Sequence, residues 1–142
     1  MKNKKQSQDW KIALVHFLMS YVVSVILAFL IMFLASFVLV ELGQSAINLT
    51  SVVLYIVSIL SIWLAVRTSG SYITRNYVIN NVDKILKFAT IYYVIIVFGW
   101  SLLNLKNTLA STSYSLVIAQ WVVLIIGVFV FYIAGKKYIK NS

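Results

Sequence analysis

Four apolar stretches, residues 12–42, 47–66, 85–104 and 115–134, constrain this chain more than any other feature. A helix rises about 1.5 Å per residue and the hydrocarbon layer of a bilayer is about 30 Å thick, so about 20 apolar residues span it. The last three stretches match that length. The first, IALVHFLMSYVVSVILAFLIMFLASFVLVEL, would make a helix of about 46 Å and is expected to tilt or to project beyond the bilayer. A basic start, MKNKK, ahead of an apolar run also resembles a signal peptide. The run is far longer than a signal's apolar core and has no well-placed small-residue cleavage site, which favours an uncleaved first helix.

Composition agrees with a chain whose solvent is lipid. Apolar residues make up 62% and charged residues 11%, whereas a soluble domain has under half apolar and about a quarter charged. The 142 residues read as a single four-helix transmembrane domain, an all-α bundle. There is no cysteine, hence no disulfide, thiolate ligand or thiol nucleophile.

The Lys and Arg residues set the expected orientation. Lys2, Lys4, Lys5 and Lys11 precede the first helix; Arg67, Arg75, Lys84 and Lys87 lie between or beside the second and third; Lys136, Lys137 and Lys140 follow the fourth. Only Lys106 falls on the other side, where Glu41 also lies. Short loops rich in Lys and Arg stay in the cytoplasm, so both termini are expected inside, in what is read as a bacterial cytoplasmic membrane. The basic balance then reflects topology and anionic lipid headgroups on the cytoplasmic side, with Arg67, Arg75, Lys84, Lys87, Lys136 and Lys137 as candidate headgroup contacts. Dispersed charge without a binding motif argues against nucleic acid as a partner.

The polar segment VRTSGSYITRNYVINNVDKILK, residues 66–87, is expected to be the cytoplasmic connection between the second and third helices. Ile79, Val82, Ile85 and Leu86 recur at helical spacing opposite Asn76, Asn80, Asp83, Lys84 and Lys87, which predicts a short amphipathic helix leading into the third span. Such a segment is either a topological anchor or a docking surface for headgroups or a partner. A faint two-hairpin repeat runs alongside: His16-Phe17 with Tyr21 parallels Lys87-Phe88 with Tyr92, and Gly70 with Arg75-Asn76 parallels Gly135 with Lys140-Asn141. Chance similarity of apolar segments explains it equally well.

Within the spans, chemistry is sparse. No Asp, Glu, Lys or Arg lies deep in the apolar stretches, whereas proton-coupled transporters keep an ionisable group there. The first helix instead carries His16, Ser20, Ser24 and Ala28 at successive i,i+4 positions; the second carries Ser51, Ser58, Ser61 and Ala65; the fourth carries Gln120, Gly127 and Ala134. Small and weakly polar residues let helices approach closely, so His16, Ser20, Ser24, Ala28, Ser58, Ser61, Gln120 and Gly127 form the candidate helix-packing face. His16 could relay a proton or contact phosphate, and more often such a residue bonds a neighbour; no second His, Cys or carboxylate motif completes a metal site. Asn104 and Gln120 could bond each other near the outer side.

No cofactor motif and no catalytic constellation is present: the serines lack a His-carboxylate pattern, and there is no glycine-rich phosphate loop or carboxylate pair. The chain is therefore expected not to be an enzyme. Its size and four-span plan resemble two groups of small bacterial membrane proteins. The small multidrug-resistance exporters have a hallmark carboxylate inside the first helix, where this chain has only Glu41 at the end. The small proteins implicated in moving polyprenol-linked sugars share the expected orientation, and LKFATIYYVI is similar to the start of their helices. The Asn- and aromatic-rich pattern after their even-numbered helices is not matched by TSGSYITRN or AGKKYIKN, and neither resemblance carries a site residue over.

Two functional expectations follow. One is a non-enzymatic accessory or scaffold subunit packing with other membrane helices, as a homo-oligomer or in a membrane-protein complex. The other is a small oligomeric transporter or flippase for an amphipathic or lipid-linked substrate, since four helices fill their own centre and a pathway would need an assembly.

Overall fold

The computed structural model describes residues 7–41, 46–111 and 114–141. They form α1 (Asp9–Glu41), α2 (Ala46–Asn76), α3 (Val82–Leu103), α4 (Leu105–Ser111) and α5 (Tyr114–Tyr138). All but α4 are long and apolar enough to cross a membrane. No proline interrupts them, so each helix bonds its own backbone throughout, as a segment in lipid must.

The helices pack in a ring: α1 lies against α2 and α3, and α5 lies against the same two. Across one diagonal the rings of His16 and Phe131 meet at 5.3 Å, closing the centre. The buried core gathers at the end that carries the N-termini of α1 and α3 and the C-termini of α2 and α5, through Ile12, Phe17, Val66, Ile73, Leu86 and Phe131. Lys11, Arg67, Arg75, Lys84, Lys87, Lys136 and Lys137 are exposed at this same end. Toward the other end the packing loosens, and α1 leaves Phe29, Phe33, Leu34 and Phe37 exposed along its length.

The polar segment is not a loop with its own amphipathic helix. Instead α2 runs on to Asn76, the connection shrinks to 77–81, and α3 starts at Val82. Gly70, the one helix-weakening residue in this run, sits where α5 comes closest: a Cβ there would lie 3.1 Å from Tyr138 Cβ and 3.4 Å from Ile139 Cγ1. Packing against α5 thus outweighs the helix cost of glycine, about 1 kcal/mol. The extended helix ends with the Asn76 side chain donating to Tyr72 O at 2.8 Å. Next, Asn81 caps α3 by accepting from Lys84 N at 2.9 Å, a bond type that contributes about 1 kcal/mol. The apolar spacing that suggested one amphipathic helix is split by this turn: Ile79 is a buried anchor in the connection, while Ile85 and Leu86 belong to the core face of α3.

Further differences concern the ends of the spans. The first helix begins at Asp9, whose carboxylate suits a helix N-terminus. The fourth span, α5, continues past residue 134 to Tyr138. The connection between the third and fourth spans holds α4, a two-turn helix that carries Lys106.

Candidate functional site

The stripe on α1 divides into two unlike halves. His16 and Ser20 are buried against α2, where the Ser69 hydroxyl lies 2.8 Å from His16 Nδ1 and 2.6 Å from Ser20 Oγ. Ser69 Oγ also donates to Val66 O at 3.2 Å. A hydroxyl has one proton, and a carbonyl only accepts. Satisfying all three contacts therefore requires Ser20 and His16 Nδ1 to donate to Ser69. That tautomer leaves His16 Nε2 a bare acceptor, and Nε2 is buried with no partner among the described residues. It faces α5 at Gly135, where a Cβ would lie 3.7 Å away.

One turn further along, the stripe borders an open groove. Ser24 and Ala28 of α1 oppose Ser58, Ser61 and Ile62 of α2, with Tyr93 and Val97 of α3 beyond, around a space of about 180 Å³. Ser24 and Ser58 satisfy their hydroxyls on their own helices, donating to Tyr21 O and Leu54 O at 2.8 Å each. Ser61 differs. It is 1% exposed, and its hydroxyl has no partner among the described residues. Tyr93 abuts Gly127 of α5, where a Cβ would come within 3.0 Å of the phenol oxygen.

On α5, Gly127 and Ala134 are buried contacts, whereas Gln120 is exposed. Gln120 lines a second hollow of about 240 Å³ with Trp100, Ser101, Asn104, Thr108 and Trp121. Asn104 shares that hollow with Gln120, but its amide donates to Trp100 O at 2.9 Å, a bond within its own helix end. Ser51 and Glu41 have side chains outside the described residues.

All six candidate headgroup residues are exposed at the basic end. Lys84 has part of its charge engaged by the chain itself, with Nζ 3.2 Å from Asp9 Oδ2. Arg67 lies over the Tyr138 ring at 5.8 Å. Ser69 and Tyr93 are the members of the buried set that the sequence did not single out. The signal for Ser69 was available in the i,i+4 series Ser61, Ala65, Ser69 once α2 is extended through the polar run.

Four helices long and apolar enough to cross a membrane, with large apolar side chains exposed along them and most of the core at the charged end, are consistent with an integral membrane protein. Compared with known proteins, the chain matches no family model, no curated protein and no solved structure.

Proposed function

We propose that the protein is a non-enzymatic membrane protein that binds an amphipathic or lipid-linked substrate in the groove between α1, α2 and α3 and moves it as a small transporter or flippase. The supporting observation is the direction of the small-residue faces. Ser24 and Ala28 on α1 and Ser58 and Ser61 on α2 face each other across an unfilled space within the chain, and the buried Ser61 hydroxyl has no hydrogen-bond partner among the described residues. Faces that served only to dock a partner subunit would point outward, and faces that served only internal packing would close on each other. An open, mostly apolar groove lined by small side chains suits the hydrocarbon part of an amphipathic molecule. The basic end is cytoplasmic in this reading, by the placement of Lys and Arg, and the membrane is a bacterial cytoplasmic one.

The accessory-subunit reading has its own support in the uncovered ridge of Phe29, Phe33 and Phe37 on α1. Purification in mild detergent separates the two. A bound lipid on the parent protein, lost from Ala28→Phe without loss of fold, is the outcome expected of a substrate groove. A lipid-free protein eluting in stoichiometric complex with an unrelated membrane protein would favour the subunit.

A further inference from the structure

Between the C-terminal turns of α2 and α5 lies a second groove, of about 420 Å³, lined by Ser71, Thr74, Arg75, Lys137, Tyr138 and Lys140. We propose that it is a binding site for the phosphate group of an anionic membrane lipid. Its charge is of one sign: three lining residues are basic and none is acidic. Asp9, the carboxylate paired with Lys84, is on α1, and Asp83 is on α3. The partial negative charge of two helix C-termini offsets part of the repulsion among these cations, and a bound anion would offset the rest.

The arrangement also stands ready before any ligand arrives. The backbone N–H of Lys140 donates to Thr74 Oγ1 at 3.3 Å, and neighbouring Ile139 is buried at 2% exposure. The chain leaving α5 is therefore pinned to α2, which holds Lys137 and Lys140 beside Arg75. Thr74, having accepted that bond, keeps its own proton to donate, and Ser71 adds a second hydroxyl. A guanidinium fork with two ammonium groups and two hydroxyls is a donor set suited to a phosphate. Helix dipoles account for Arg75 and Lys137, each in the last turn of its helix, but not for Lys140, which lies past the end of α5. The groove sits where the apolar spans give way to charge, the level of headgroups, so a lipid rather than a soluble anion is the occupant. None of its lining residues lines the groove between α1, α2 and α3, and the assignment holds whether or not the protein moves lipid.

The test uses the full chain in mild detergent and native mass spectrometry, with phosphatidic acid or phosphatidylcholine added. The parent should retain phosphatidic acid preferentially. The triple variant Arg75→Gln, Lys137→Gln, Lys140→Gln should weaken retention by roughly tenfold or more, whereas Lys5→Gln, Lys11→Gln, Lys106→Gln, which removes the same charge from parts of the chain outside α2 and α5, should change it by less than about twofold. Ser71→Asp keeps all three cations and should also weaken retention by placing a carboxylate among them. Equal losses in the two triple variants, or undiminished retention in the groove variants, would overturn the site. Inorganic phosphate displacing phosphatidic acid at equal concentration would overturn its assignment to a lipid.

Discussion

His16 Nδ1 lies 2.8 Å from the hydroxyl of Ser69, a residue 53 positions away, and this contact joins α1 to α2 in the buried centre of the basic end. Ser69→Ala would strand both His16 Nδ1 and Ser20 Oγ. Leaving buried polar groups unmade costs about 1–3 kcal/mol, so the variant should unfold at lower temperature in detergent. Removing the whole set with His16→Leu, Ser20→Ala and Ser69→Ala together should recover much of that loss, because no orphaned group remains. A triple variant less stable than Ser69→Ala would mean that the network contributes more than the cost of desolvating its members.

Two glycines should respond to alanine in opposite directions. At Gly135 an added Cβ would run into Leu86 Cδ2, and Leu86 is fully buried, so Gly135→Ala should destabilise by roughly 1–3 kcal/mol through overpacking. Among the described residues, Gly99 has nothing beyond its chain neighbours and its own helix backbone within 4 Å of where its Cβ would be. There Gly99→Ala should be neutral or stabilising by up to about 1 kcal/mol, the gain in helix propensity. Thermal unfolding of both variants under one detergent condition measures the contrast.

The stripe on α1 should change behaviour within one helical turn. Ser20 is 3% exposed in the closed part of the bundle, and Ser20→Leu should cost roughly 1–3 kcal/mol or prevent folding. Ser24 borders open space of about 180 Å³, so Ser24→Leu should leave thermal stability nearly unchanged while occupying the groove. Equal destabilisation by both would show that the groove closes in the membrane.

Orientation is testable with single cysteines in a chain that has none of its own. Asn80 and Lys106 are both exposed, one in the connection at the basic end and the other on α4. An impermeant thiol reagent applied to intact cells should label Lys106→Cys and spare Asn80→Cys until the membrane is opened. The reverse pattern would invert the topology.

Hydropathy alone was enough to locate four helices long and apolar enough to span a membrane, because the cost of unsatisfied backbone in lipid is a local property of each stretch. The gathering of Lys and Arg at one end was equally legible, since it depends only on the order of spans and charges. Where α2 stops was not legible: Arg67 to Asn76 read as a loop by polarity, yet contact of Gly70 and Ile73 with other parts of the chain keeps them helical. The division of the α1 stripe was equally hidden. His16, Ser20, Ser24 and Ala28 share one periodicity, and only the approach of α2 and α5 buries the first pair while leaving the second beside open space. Periodicity identifies a shared face; how closely another helix approaches that face depends on side chains distant in sequence, and that distance is a property of the tertiary structure alone.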